Sequence, residues 1–347
     1  MNVRCQDVRL AGYTTLRLGG PARTFIEAGS EEALIEQVRA ADEAGEPLLI
    51  LGGGSNLVVC DEGFPGTVVR VASRGVAIDG ARVTAQAGEE WDALVARTVA
   101  EGLSGLECLS GIPGRVGATP IQNVGAYGQD VSETITEVRA YDRRERRVRS
   151  FTAAECAFTY RHSAFKGDDR YVVLAVTFQL DETGESRPVK YAELARRLGV
   201  EQGSAAPLQD VRDAVLELRR GKGMVLDPAD PDTRSAGSFF TNPVLTEREL
   251  KVLAERAEGF PAFPEPGGRT KTSAAWLIDK AGFAKGYARG PVRLSTKHTL
   301  ALTNPGPEGT ARDLLALARE IRAGVREAFG VTLVNEPVLI GLTLEEE

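Results

Sequence analysis

The chain is poor in the residues that most often build metal and redox centres. It has 2 histidines, 2 methionines and 4 cysteines among 347 residues. The cysteines, at positions 5, 60, 108 and 156, lie far apart and form no Cys-x-x-Cys pair. That argues against a structural zinc site and a thiol–disulfide motif, and no bound metal is expected. Scattered cysteines suit a reducing compartment. Positive charge is also short: 42 Lys and Arg stand against 49 Asp and Glu, for a net charge of −7. Nucleic acid is therefore not an expected partner, because a phosphate backbone demands a basic face. The basic run Arg143-Arg144-Glu145-Arg146-Arg147 is broken by an acid and sits between two strand-like segments, which reads as a solvated hairpin turn. Long apolar runs are missing too. The longest, such as Tyr171–Phe178, have strand length, far below the ~20 residues of a membrane span. The N-terminus has no apolar signal core. A cytoplasmic protein with no membrane partner is expected.

What is present is ordinary in bulk: 42% apolar and 26% charged residues, as in a soluble globular protein. The length exceeds what one hydrophobic core holds, so two or three domains are expected. Ser30 heads a helix with Leu34, Val38 and Ala41 on one face, closed at Gly45, and Pro47–Leu51 reads as a buried strand. Strands follow at Thr67–Val71 and Arg82–Ala87, then a helix on Trp91, Leu94, Val95, Thr98 and Val99 that closes at Gly102. Residues 103–130 are glycine-rich and irregular. Further strands are expected at Glu137–Asp142, Arg147–Phe151 and Tyr171–Leu180, and helices at 191–199 and Leu208–Arg220. The Pro- and Gly-rich region 259–271 reads as loop. Ser273 caps a short helix, Leu300–Thr303 is a strand, and Leu314, Leu317, Ile321 and Val325 mark the last long helix. Val331–Val334 and Val338–Leu342 read as strands on either side of Glu336. The class is α+β.

Five segments bear polar groups in unusual settings. Gly52-Gly53-Gly54-Ser55-Asn56 follows a buried strand, and consecutive glycines let backbone N–H groups converge on an anion. It is neither G-x-G-x-x-G nor a P-loop. Ser110-Gly111-Ile112-Pro113-Gly114-Arg115-Val116-Gly117-Ala118 continues through Asn123 and Gly125, a wall poor in side chains that a flat ring can approach. Arg161 stands between Tyr160 and Phe165, where its planar fork suits a carboxylate. Ser235–Pro243 delivers a hydroxyl, Ser238, on a backbone of small residues anchored by Phe239 and Phe240. Glu336 precedes Pro337, which forces extended backbone. Alone, each has an ordinary reading: a tight turn, a structural loop, a surface ion pair, an exposed serine, a charged strand end.

Together and in this order the segments closely resemble the UDP-N-acetylenolpyruvoylglucosamine reductase family, in its longer tyrosine-loop subtype. The resemblance runs from Thr15-Leu16-Arg17-Leu18-Gly19-Gly20-Pro21-Ala22 to Glu336-Pro337. It implies a vanillyl-alcohol-oxidase/PCMH-type FAD fold in two subdomains, 1–72 and 73–222, with 337–347 returning to the first. A substrate-binding α+β domain is then expected over 223–336. It implies non-covalent FAD, held by Gly52, Gly53, Gly54, Ser55 and Asn56 at the pyrophosphate. Ser110, Gly111, Ile112, Pro113, Gly117, Ala118, Asn123 and Gly125 are expected near the flavin. NADPH reduces the flavin, whose N5 then gives a hydride to C3 of the enolpyruvyl ether of UDP-N-acetylglucosamine-enolpyruvate. A proton on C2 completes UDP-N-acetylmuramate for peptidoglycan synthesis.

The matching positions are Ser238 as proton donor and Arg161 and Glu336 as stabilisers of the charge on C2 and its carboxylate. Glu336 is expected to carry a proton in the complex, because a substrate carboxylate repels its charge. Tyr191, Lys222 and Asn242 fit the substrate-binding positions, and a monomer is expected. Two departures stand out: His162 follows the arginine where the family commonly has Asp, and Val338 replaces a second acid after Glu336-Pro337. Competing readings are another FAD-dependent oxidoreductase of the same fold, acting on a carbohydrate or alcohol, and a non-catalytic nucleotide-sugar-binding protein. Neither histidine, 162 or 298, lies in the two glycine-rich segments, which disfavours a covalently attached flavin.

Overall fold

Residues 3–345 are described by the computed structural model. Met1 and Asn2 of the first expected subdomain lie outside the described residues, as do Glu346 and Glu347 of the expected C-terminal return. The backbone divides into two units. One takes the chain up to Val8, Ala22–Gly53 and Pro65–Val225; the other takes Arg9–Pro21, Gly54–Phe64 and the chain from Leu226 on.

In the first unit, local signals act as the sequence predicts. The Ser30 hydroxyl accepts from Ala33 N at 3.2 Å and opens the helix Glu31–Ala44, which buries Leu34, Val38 and Ala41 and ends at left-handed Gly45. The chain then enters the strand Leu48–Leu51, parallel to Phe64–Val71, in a four-stranded sheet completed by Pro21–Ala28 and Val3–Arg9. A second sheet is antiparallel throughout, in the order Arg147–Thr152, Ile135–Asp142, Tyr171–Gln179, Arg82–Gln86, Val76–Asp79. Its central strand is buried on both faces, which explains the unbroken apolar run at 171–178. The basic run at 143–147 forms the hairpin turn, with Asp142 opposite Arg147. The helix Trp91–Ala100 seats fully buried Trp91 with its ring 5.9 Å from that of Phe178. One apolar cluster runs through both sheets and both helices. A smaller cluster of Leu194, Ala195, Val211 and Val215 joins the helices Ala192–Leu198 and Leu208–Gly221.

The second unit is organised by the helix Ala311–Phe329, opened by a Thr310–Asp313 capping box and closed by left-handed Gly330. Leu314, Leu317, Ile321 and Val325 pack into a core with Phe239, Phe240, Leu277 and Leu294. Val338–Ile340 pairs in parallel with Leu57–Val59. The helix Glu247–Arg256 is silent in the apolar pattern because Leu253 is the residue it buries; its capping box of Thr246 and Glu249 is the surviving signal.

Two expectations need correction. The region 259–271 is no simple loop, because Ala262–Glu265 and Arg269–Thr272 pair as a hairpin. Gly267 and Gly268, both left-handed, supply the turn, and exposed Ala262, Phe263 and Pro264 carry no apolar alternation. Val331–Val334 is not a strand. Thr241 N donates to Val334 O and Phe240 bridges Asn335, but Pro243 ends the partner segment before a ladder can form.

Candidate active site

In the first unit the two glycine-rich segments meet. A Cβ on Gly53 would lie 2.7 Å from Gly114 Cα, and one on Gly52 would touch Arg115 and Ala118 at 3.8 and 3.9 Å. The approach of backbone to backbone is what the glycine at 53 allows, whereas a methyl at 52 would make only ordinary contacts. Residues 109–117 are fastened along residues 87–92: Trp91 Nε1 donates to Leu109 O, Trp91 N to Gly114 O, Val116 N to Glu89 O and Gly117 N to Ala87 O. The backbone N–H groups of Gly53, Ile112, Gly114 and Arg115 make no hydrogen bond among the described residues. Unpaired donors on a side-chain-poor wall fit the phosphate oxygens and ring edge of a dinucleotide. Ser110 is different: it is fully buried and its hydroxyl donates to Glu107 O at 2.7 Å, so its side chain faces inward.

Arg161 stands at the tip of a tight turn, with φ of 53° and Thr159 and His162 exchanging hydrogen bonds beneath it. Its NH2 donates to Gly125 O at 2.7 Å and its NH1 to Asn123 O at 3.3 Å, and the guanidinium lies 5.3 Å from the Tyr160 ring centre. Asn123 is buried, itself left-handed, and ties Thr159 O to Ser132 N through its side-chain amide. Ser163 Oγ donates to Ile121 O at 2.6 Å. The arginine and the glycine wall are thus one construction. Asp130 Oδ1 lies 3.6 Å from Arg161 NH1 and supplies an acid that the exposed His162 does not. A Cβ on Gly125 would fall 1.5 Å from that same Oδ1. Sequence spacing could not reveal Asp130, because a hairpin, Gly125–Ala126 with Gln129–Asp130, delivers it.

Tyr191 is 44% exposed and sets its ring edge-on to Tyr127 at 5.4 Å. Lys222 Nζ lies 2.6 Å from Glu193 Oε2 and 5.6 Å from the Tyr127 ring centre. Burial opposes the lysine's charge, but Glu193 and the nearby tyrosines outweigh it and hold the ammonium pKa above the ordinary lysine value. Burial raises the Tyr127 phenol, while Lys222 and Arg219 work against that rise. Glu193 carries no sequence signal of its own, though it lies two residues after Tyr191.

In the second unit, Gly54 is buried and left-handed, and a Cβ there would overlap Tyr13 O at 1.9 Å. Its own carbonyl accepts from Thr15 N, and its N–H is unpaired among the described residues. Asn56 Nδ2 donates to Glu336 O at 3.4 Å, and Asn56 O accepts from Val338 N at 2.9 Å. Ser55 is half-buried beside it. Phe239 N donates to Leu300 O at 2.7 Å, and Glu336 N to Phe239 O at 2.8 Å. Ser238 and Glu336 therefore stand on adjacent backbone segments. Ser238 is half-buried and its hydroxyl makes no hydrogen bond among the described residues. Asn242 accepts from Ala274 N through Oδ1 at 3.0 Å, which leaves its amide NH2 for other work.

No helix among the described residues is long and apolar enough to cross a membrane. Residues 22–150 match an FAD binding domain, and residues 228–340 match the C-terminal domain of UDP-N-acetylenolpyruvoylglucosamine reductase. A protein of that name from Thermobifida fusca is 63% identical, with 98% of each chain covered. Another from Streptomyces coelicolor is 60% identical over 97% of this chain and 90% of its own. The crystal structure of the Thermus caldophilus UDP-N-acetylenolpyruvylglucosamine reductase superposes with a TM-score of 0.68 at 27% identity, covering 98% of this chain and 99% of that one. The α+β architecture is that of a vanillyl-alcohol-oxidase/PCMH-type FAD protein. With such identity spread over nearly its whole length, the chain belongs to the UDP-N-acetylenolpyruvoylglucosamine reductase family.

Proposed function

We propose that this chain reduces the enolpyruvyl ether of UDP-N-acetylglucosamine-enolpyruvate to UDP-N-acetylmuramate for peptidoglycan synthesis, with FAD as cofactor and NADPH as reductant. The observation that carries the roles of individual residues is the hydrogen bond from Glu336 N to Phe239 O, which sets the Glu336 segment beside that of Ser238, whose hydroxyl makes no hydrogen bond among the described residues. Bound FAD, reduced by NADPH, supplies the hydride that reaches C3 of the enolpyruvyl group. Gly53, Gly54, Ile112, Gly114 and Arg115 would hold that cofactor through unpaired backbone N–H groups, with Gly52, Ser55, Asn56, Pro113, Gly117 and Ala118 shaping the wall.

Negative charge grows on C2 and its carboxylate as the hydride arrives. Arg161 meets it with a permanent cation already oriented by Asn123 and Gly125, so little reorganisation accompanies the charge. Ser238 gives its hydroxyl proton to C2 without being ionised beforehand, and solvent restores the proton. Glu336, protonated in the complex, donates a hydrogen bond to the carboxylate of the intermediate. Tyr191 and Lys222 bind the substrate diphosphate, and Asn242 supports the substrate with its amide. We divide the chain into 1–72 and 73–222 for FAD and 223–336 for the substrate, with 337–347 returning to the first. The working species is a monomer in the cytoplasm, where NADPH is the ordinary reductant.

Stopped-flow absorbance on Ser238→Ala tests the reading. Flavin reduction by NADPH should run at the wild-type rate, while reoxidation by the enolpyruvyl sugar falls by roughly 10²–10⁴-fold, the usual worth of a positioned acid. Equal loss in both half-reactions would overturn the role of Ser238. Reoxidation by simple alcohols or sugars in place of the enolpyruvyl ether would instead favour an oxidase.

A further inference from the structure

The glycine wall is fastened mostly by backbone. One side chain anchors it where it begins. Asp92, in the first turn of the helix Trp91–Ala100, accepts the N–H of Gly111 on Oδ1 at 2.6 Å. The same carboxylate takes Arg212 in a two-pronged pair, NH1 to Oδ1 at 2.7 Å and NH2 to Oδ2 at 2.9 Å. Arg212 is nearly buried, with 11% of its side chain exposed, and it comes from the helix Leu208–Gly221. Parallel prongs fix a carboxylate in plane and direction better than a single contact. Burial favours protonation of Asp92, but the Arg212 and Gly111 hydrogen bonds prevail and hold its pKa below the usual aspartate value.

Gly111 cannot settle elsewhere. Its φ is +71°, and a Cβ would lie 2.8 Å from Leu216 Cδ2 and 3.0 Å from Val225 Cγ2. The residue is thus pressed against the second helix and held by the carboxylate that the helix itself pins. The next residue, Ile112, begins the run of N–H donors at 112, 114 and 115 that have no partner among the described residues. A rotation at 111 would displace the Ile112 donor first, at the point where the backbone enters the wall.

We propose that Asp92, locked by Arg212, is a positioning residue for the cofactor: it sets the Gly111 peptide and so aims the following backbone donors at the flavin. This rests on the reading that the 110–118 wall holds FAD. Neither residue is among those assigned to the enolpyruvyl group, so the effect appears in flavin binding before it appears in chemistry.

The test uses the holoprotein, and protein stripped of flavin and titrated with FAD, in three variants. Asp92→Leu/Arg212→Leu removes acceptor and charge together while leaving an apolar pair. Asp92→Asn keeps an acceptor for Gly111 but weakens the pair. Ile112→Glu perturbs the wall itself. In the double variant the FAD dissociation constant should rise about tenfold or more, the rise in Tm caused by FAD should shrink, and the flavin absorption band should shift. Its flavin-free Tm should move far less, which a purely structural role would not allow. Asp92→Asn should show a smaller change of the same kind, and it carries the test if the double variant does not fold. Unchanged FAD affinity in the Asp92 variants, with weakened affinity in Ile112→Glu, overturns the proposal alone. Unchanged affinity in Ile112→Glu overturns the assignment of the wall and the proposal with it.

Discussion

Glu336 N–H donates to the carbonyl of Phe239, the residue after Ser238, across 2.8 Å. Backbone therefore sets the Glu336 segment beside the segment that carries Ser238. The Phe240–Asn335 bridge and the Asn56 amide on Glu336 O brace the same segment. Substituting the Glu336 side chain should leave this frame standing, which makes the position suitable for kinetic dissection.

Glu336→Gln keeps a hydrogen-bond donor of similar shape, whereas Glu336→Ala removes it. If the glutamate works in its protonated form, reoxidation by the enolpyruvyl sugar should stay within about tenfold of wild type in the Gln variant. The Ala variant should lose roughly 10²–10³-fold, the usual effect of deleting one charge-stabilising donor. Single-turnover stopped-flow measures both. Equal losses would show that the carboxylate form is the active one.

Gly53→Ala should disrupt cofactor binding more than its small size suggests. The added methyl would sit 2.7 Å from Gly114 Cα, and neither backbone can yield without moving the wall. Purified protein should carry much less than one FAD per chain. A normal ratio of absorbance at 450 nm to that at 280 nm would show that the wall yields at no cost.

Lys222→Met should raise the KM for the enolpyruvyl sugar nucleotide by about tenfold or more, as expected for a lost hydrogen bond to a charged group, with kcat little changed. Glu193 already partners this lysine at 2.6 Å. Glu193→Gln should therefore free the cation and lower the same KM modestly. Steady-state kinetics at low ionic strength shows both, and both effects should shrink in salt. An unchanged KM in Lys222→Met would exclude the lysine from the diphosphate.

Asp142 provides a stability test away from the site. Its carboxylate is fully buried, takes Arg170 Nε and NH2, and accepts the N–H groups of Arg144 and Glu145. The Arg170 hydrogen bonds, outweighing burial, bring its pKa down to about 2. A depressed folded-state pKa stabilises above the unfolded value, near 4, and that stability disappears as pH falls through about 2. Asp142→Asn should lower Tm at pH 7 by on the order of 5 °C. The gap from wild type should close as pH drops from about 4 toward 2, which thermal melts across that range would detect.

The motif residues were legible because each depends on its neighbours in the chain. Ser30 and Ser273 cap helices through amides three residues away, and Gly53 and Gly54 stand where other backbone comes too close for a side chain. Residue types and their order were also enough to carry the resemblance to the family to which the chain belongs. The hairpin at 262–272 stayed hidden because its strands are mostly exposed and show no apolar alternation. Val331–Val334 forms no strand despite its apolar, β-prone residues, because they do not make one without a partner of equal length.

What tertiary structure alone decided is the partnership of each polar group. Asp130 stands by Arg161, Glu193 by Lys222 and Arg212 by Asp92, across separations that no sequence period spans. The serines at 110 and 238 look alike in sequence, each beside glycine. Folding buries one hydroxyl on Glu107 O and leaves the other without a hydrogen-bond partner among the described residues. The physical reason is range: caps and turns are settled within a few residues. Hydrogen-bond partners across the chain are settled when packing brings distant segments together, and only then is it determined which donors stay free for a ligand.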